Sequence, residues 1–280
     1  MTTVADIADL LEQRFPLALA EDWDVNGLTV GDPAGTVSRV LFAVDPTLAV
    51  VQEAIDIDAD LIVTHHPLLL RGATQLPVTS SKGAVVHQLI AHGIAHYNAH
   101  TNADSATEGV SEALAAAVGV RSSAPLIPRP GDPTQGTGRI GPLPGPVSLR
   151  EFATHVAAAL PATAHGVRVA GDLDATVTTV AVCGGSGDSY LADARRAGAD
   201  VYVTADLRHH PASDFRELAD LGDGRPFLVD VAHSASEWAW LTATAEHVAD
   251  AAGVDTTVST LNTDPWTAHI PSPSRTARHH

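Results

Sequence analysis

Cysteine is nearly absent: Cys183 is the only one in 280 residues. An intrachain disulfide is therefore excluded, and so is a zinc site built from several thiolates. Positive charge is also scarce, with 16 basic against 33 acidic residues and a formal net charge of −17. A surface of that sign repels phosphate backbones, which excludes nucleic acid as a partner class. No uninterrupted apolar run approaches the ~20 residues of a membrane helix. The opening Met1-Thr2-Thr3-Val4-Ala5-Asp6 has neither the basic nor the apolar region of a secretory signal. These absences predict a soluble, cytoplasmic protein that does not engage membranes, and a reducing compartment suits the lone thiol.

What is present is globular: hydrophobic residues make up 45% and charged residues 18%. That is enough for one large domain or two lobes. Thr3 to Ala20 reads as an amphipathic helix, with Thr3 and Asp6 at capping-box spacing and Ile7, Leu10, Leu11 and Phe15 at helical intervals. Strands are predicted over 37–45, 60–64 and 93–98, separated by helices over 47–58 and 82–92, with a further helix over 105–119. The stretch 121–147 is rich in Pro and Gly and reads as a long connection. Beyond it come a helix over 148–160, strands near 167–171, 177–183, 200–204 and 226–231, and helices over 188–197, 212–220 and 234–252. Alternation of this kind predicts βαβ units and a mainly parallel sheet.

The halves repeat. Val40 to Thr64 and Val180 to Thr204 share length and pattern, and Ala59-Asp60-Leu61-Ile62-Val63-Thr64 aligns with Ala199-Asp200-Val201-Tyr202-Val203-Thr204 at an offset of 140 residues. Both reach His-His-Pro shortly afterwards, at 65–67 and 209–211. The expected architecture is thus α/β, with two similar βαβ-containing lobes and a site between them. The N-terminal lobe spans 1–124, the connection 125–147, the C-terminal lobe 148–262, and a tail closing on His279 and His280 spans 263–280.

Ligands of open α/β sheets gather beyond the carboxyl ends of strands. Three such ends carry metal-type residues: His65 with His66 after 60–64, His100 with Asp104 after 93–98, and Asp230, His233 and Glu237 after 226–231. Pro67 ends its strand, and His233 and Glu237 project from one helix face. Each piece has an ordinary alternative: a capping Asp104, an exposed His233/Glu237 pair, a surface His-His pair. Together they form a nitrogen and oxygen set for Zn, Fe or Mn, too rich in nitrogen for calcium. Five strong ligands (His65, His66, Asp104, His233, Glu237) exceed one tetrahedral catalytic site and suit two divalent ions sharing a carboxylate.

Several ordered motifs now carry a resemblance. Trp23-Asp24-Val25-Asn26-Gly27-Leu28 with Val30-Gly31-Asp32, Thr64-His65-His66-Pro67, His100-Thr101-Asn102-Ala103-Asp104, Gly138-Arg139-Ile140-Gly141 and Asp230 through Glu237 are similar to those of the Nif-three-like dinuclear-metal proteins, the GTP cyclohydrolase I type 2 homologs. The resemblance runs to about residue 252. It implies metal ligation by those same five residues and a toroidal homohexamer with centres facing an internal cavity. Ala232, Ser234, Ala205-Asp206 and the order Val25-Asn26 depart from the family pattern, and none removes a proposed ligand.

The leading expectation is a metal-dependent hydrolase acting on a small molecule, which the resemblance implies is a nucleotide such as GTP, with His100 or a bridging carboxylate moving protons. The alternative is a non-catalytic metal-binding or interaction protein forming a hexameric ring. His209 and His210 are candidate substrate contacts, against a plain solvated loop. The turn Cys183-Gly184-Gly185-Ser186-Gly187 offers backbone amides to a phosphate, although a tight βα turn needs glycine anyway. The four tryptophans read as core or interface rather than as a stacking platform.

Overall fold

The structure, a computed structural model, describes residues 1–272. His279, His280 and the rest of the expected tail beyond 272 lie outside the described residues. The first helix, α1 (Val4–Arg14), forms the capping box anticipated for Thr3 and Asp6, and it stops short of Pro16, whose ring cannot continue it. After β1 (Gly27–Val30) the chain enters three strands, β2 (Arg39–Ala43), β3 (Leu61–Thr64) and β4 (Ala95–Asn98). Helices α2 (Leu48–Asp56) and α3 (Ser81–His92) join them. These strands are almost wholly apolar because both faces are covered. Val40, Phe42, Leu61 and Val63 face the core of α1, and Leu41, Ala43 and Ile62 face that of α2 and α3.

Two short helices follow, α4 (Thr101–Ser105) and α5 (Val110–Ala117). Helix α5 is shared: Val110 enters the first core, and Leu114 and Ala115 enter the second. The second sheet comprises β5 (Ala124–Arg129), β6 (Asp132–Ser148), β7 (Arg168–Ala170), β8 (Thr176–Ser186), β9 (Val201–Ala205) and β10 (Phe227–Val231). Its helices are α6 (Leu149–Ala159), α7 (Leu191–Arg196) and α8 (His209–Asp220). Among the described residues, regular structure closes with α9 (His233–Ser236), α10 (Trp240–Ala252) and β11 (Asp255–Val258).

Two sheets result, ordered β1-β4-β3-β2-β11 and β5-β6-β8-β9-β10-β7. Parallel strands occupy the middle of each, and antiparallel β1 and β7 close corresponding edges. The sequence repeat persists in register: Val40 pairs with Leu61, and Val180 with Val201. It persists in a polar clamp as well. Asp60 accepts from Ser38 N and Oγ (both 2.7 Å) and Arg39 N (3.0 Å). Asp200 accepts likewise from Thr178 N and Oγ1 (both 2.7 Å) and Thr179 N (2.9 Å).

Two expectations are corrected. The 125–147 stretch, read as a connection, is most of an antiparallel strand pair, β5 with β6. Its glycines permit the approach, since a Cβ on Gly136 (φ +146°) would lie 2.1 Å from Ile127 O. Pro125 and Pro128 sit on the edge strand β5, Pro130 and Pro133 at the turn into β6, and Pro142, Pro144 and Pro146 where β6 leaves register with β8 between Pro142 and Val147. Residues 255–258, assigned to the C-terminal lobe, instead form β11 and pair with β2 of the first sheet. Among the described residues no helix is long and apolar enough to cross a membrane.

Candidate metal centre

The carboxyl ends of β3, β4 and β10 converge. At β3 the ladder runs one step past the strand, with His65 N on Ala43 O and His66 N on Val44 O, before Pro67 turns the chain. Thr64 Oγ1 donates to His66 O (2.7 Å), which fixes that turn. At β4, His100 N donates to Asn26 Oδ1 (2.6 Å), and α4 begins on the next residue, bringing Asp104 round by one turn. Asn102 donates to Phe15 O and the buried Arg139 donates to Ala106 O, so both ends of α4 are pinned. At β10, α9 presents His233 and Glu237 from one face, and Ser236 Oγ donates to His233 O.

The imidazoles share one arrangement. His66 Nδ1 meets Asp45 Oδ1 at 2.6 Å, His100 Nδ1 meets Asp24 Oδ1 at 2.8 Å, and His233 Nδ1 meets Asp206 Oδ2 at 2.7 Å. His65 Nδ1 meets Ala99 O at 2.9 Å. Each partner is an acceptor, so each Nδ1 carries a proton, and in the neutral imidazole each Nε2 is left with its lone pair. The Nε2 atoms turn inward: those of His66 and His233 lie 3.2 Å apart. Glu237 sits among them, with Oε1 3.4 Å from His65 Nε2 and 3.2 Å from His233 Nε2, and Oε2 3.0 Å from His66 Nε2. Asp104 Oδ1 approaches His65 Nε2 at 3.7 Å.

Proximity here is not mutual satisfaction. His65 Nε2, Asp104 Oδ1 and Glu237 Oε2 are buried with no hydrogen-bond partner. Orphaned buried ligand atoms aimed at a common space are costly unless a cation completes them, so the residues fit the divalent ions expected. Ligand atoms of His65, His66 and His100 lie within 4.8 Å of one another, as do those of His66, His233 and Glu237; either group could hold a metal ion. His100, given a proton-carrying role from sequence, therefore also stands at ligand distance. Charge is pooled: burial pushes the Glu237 carboxyl up, but His66, His65 and His233 outweigh it and hold it well below its usual value. Burial opposes protonation of His233, yet Glu237 lifts its pKa to about 9. Burial raises the Asp104 pKa.

Gly184 and Gly185, read as part of a turn, lie instead in the last residues of β8, where its pairing with β9 is irregular between Val182 and Ser186, and they serve close approach. A Cβ on Gly185, whose φ is +66°, would fall 2.3 Å from Glu237 Oε1 and 3.2 Å from His233 Nε2. Its N–H is already taken by Ser236 Oγ (2.8 Å). Other residues stand apart from the cluster. Asp230 accepts from Arg168 and from Leu207 N (3.0 Å) rather than joining His233 and Glu237. His209 and His210 open α8, exposed, with rings 5.1 Å apart; His209 lines a cavity with Arg168 and Arg216. Reading the sequence missed Asp24, Asp45 and Asp206 as partners of the histidines. Asp24 lay inside a quoted motif, and each of the others follows a strand end, which was the available signal.

Comparisons with known proteins show the family and the fold. The family model for Duf34/NIF3 (NGG1p interacting factor 3) matches residues 2–265. A Streptomyces coelicolor protein named GTP cyclohydrolase 1 type 2 homolog is 49% identical over 97% of this chain and 96% of its own length. A Mycobacterium tuberculosis protein of the same name is 35% identical over 94% and 96%. The crystal structure of a Bacillus cereus protein related to NIF3 superposes with a TM-score of 0.85 at 27% identity, covering 95% of this chain and 99% of that one. The chain belongs to the Duf34/NIF3 family.

Proposed function

We propose that the protein is a hydrolase dependent on two divalent metal ions, Zn, Fe or Mn, and acting on a nucleotide such as GTP. One observation carries the reading: four imidazoles, each held through Nδ1 by an acceptor, gather at one place, and those of His65, His66 and His233 turn Nε2 toward the buried Glu237 carboxylate. His65, His66, Asp104, His233 and Glu237 would hold the ions, with Glu237 placed between the histidines. Ions bound there supply Lewis acidity, which polarises the bond attacked and acidifies water near neutral pH. The protein's own part is orientation and proton movement. Asp24 fixes the His100 ring through Nδ1, leaving Nε2 beside the cluster to take a proton and return it to the leaving nitrogen or oxygen. The names of the relatives, GTP cyclohydrolase 1 type 2 homologs, support the nucleotide.

The family description as an interacting factor favours a second reading, a metal-binding ring without turnover. Both readings include assembly into a homohexamer, for which the exposed Val78, Ile90 and Leu221 offer apolar surface. The test is turnover of a nucleotide panel by protein loaded with Zn, Mn or Fe, beside Asp104→Ala. Hydrolysis by the wild type that Asp104→Ala abolishes, together with its tight metal binding, is the expected result. Activity surviving in metal-stripped Asp104→Ala sinks the hydrolase; metal release without any turnover selects the ring.

A further inference from the structure

Of the four tryptophans, read from the sequence as core or interface, Trp240 is buried and Trp238 half-buried. The other two lie at the surface of the chain. Trp23 is 60% exposed with its ring 6.0 Å from that of His100, and Trp266 is 65% exposed. Trp266 lines a cavity of about 380 Å³ whose other walls include His66, His233, Asp45, Asp206 and Asp264. In a chain with only 4% aromatic residues, an exposed indole beside the ligand histidines is an unusual placement.

The segment bringing it there is tied down. Ser259 N donates to Phe42 O (2.8 Å), and Trp238 Nε1 donates to Ser259 O (3.0 Å). Thr263 Oγ1 donates to Asp45, the carboxylate that holds His66. The strap is thereby in register with the metal centre. One residue on, Asp264 lines the same cavity, and its buried Oδ2 has no hydrogen-bond partner. An unpaired carboxylate oxygen calls for N–H donors, and an indole face calls for a flat π-system.

We infer that the Thr263–Trp266 strap and the cavity beneath it form a subsite for a planar heterocycle bearing ring N–H donors, of the guanine type. Trp266 supplies the stacking face, and Asp264 accepts from the ring N–H and the neighbouring amino group. This rests on the nucleotide reading above and assigns the base to a position outside the metal cluster. Adenine presents an acceptor where guanine presents N1–H, so the same carboxylate rejects it.

The test is calorimetric titration of full-length, metal-loaded protein with guanosine, inosine, adenosine and ribose 5-phosphate, with GTP turnover read on the same preparations. Guanosine should bind more tightly than inosine, which lacks the amino donor, and adenosine and ribose 5-phosphate weakest. Trp266→Leu should weaken guanosine about tenfold or more, and Trp266→Phe should restore most of it. Asp264→Asn should reduce the preference for guanosine over inosine. No guanosine binding by the wild type, or an unchanged Kd in Trp266→Leu, overturns the subsite; a preference untouched by Asp264→Asn overturns the acceptor. Binding that depends on Trp266 without turnover would sink only the hydrolase. Turnover abolished by Asp104→Ala beside guanosine binding indifferent to Trp266 would sink only the subsite.

Discussion

Asp60 and Asp200 perform one task in the two lobes, whereas His66 and the residue in its place, Asp206, perform two. The carboxylates 140 positions apart clamp the same three donors at the foot of β2 and of β8. At the other end of the following strands the copies part. Thr64-His65-His66 points nitrogen at the centre, while Thr204-Ala205-Asp206 contributes no ligand and braces His233. The bracing carboxylate has moved by one strand. Asp45 follows β2 and holds a histidine of β3; Asp206 follows β9 and holds a histidine of β10. Gly185, 140 positions after Asp45, has become the gap that admits Glu237. Strand feet bear the sheet and tolerate little change; strand tips are free to specialise, so a duplicated scaffold can carry an asymmetric centre.

The sharpest way to break this comparison is Gly185→Ala. The new methyl would occupy the place of Glu237 Oε1 on a backbone that disfavours it, so metal affinity should fall by more than about 100-fold, beyond the loss of an outer-sphere partner. A chelator competition measures this, and an Ala variant that binds normally would remove Gly185 from the centre. Next come Asp45→Asn and Asp206→Asn. If the two braces are equivalent, each costs about 10–100-fold in metal affinity. A loss confined to one would show that the centre leans on a single lobe.

The smallest effect tests the shared feet. Asp60→Asn and Asp200→Asn should each cost about 1–2 kcal/mol at pH 7, toward the low side because both carboxylates are partly exposed. For each, burial raises the pKa, but the amide and hydroxyl donors outweigh it and leave it lowered. A folded pKa below the unfolded value of about 3.9 gives stability that is complete above that pH and lost as the pH falls from there through the folded pKa. Urea midpoints of variant and wild type should therefore differ at pH 7 and converge below about pH 4. Asp200 also accepts from Arg225 Nε (2.8 Å), so Asp200→Asn should cost the more, and a larger loss from Asp60→Asn would end the equivalence of the clamps.

Much of this was legible in the chain. The repeat, the strand cores and the three strand tips could be read because buried parallel strands are continuous apolar runs and a chain break at Pro67 is local chemistry. The β5–β6 pair was hidden, because glycine and proline carry the same signal in a loop as in a strand that needs close approach and an edge. Asp24, Asp45 and Asp206 escaped because they reach the histidines across 76, 21 and 27 residues, and no periodicity records such a partner. Trp266 escaped for a related reason. An exposed tryptophan and a buried one look identical in sequence, and only the cavity beside His66 and His233 distinguishes them.

The return of β11 to the first sheet has a consequence for the order of synthesis. Val40 to Phe42 acquire their outer neighbours only from Thr256 to Val258, so the earliest strands emerge from the ribosome long before their edge is closed. Until then β2 presents free N–H and C=O groups, a template for pairing with another nascent chain. The last strand among the described residues is the one that seals the first sheet, so a product truncated before residue 255 carries an open, sticky edge however well its first lobe has folded.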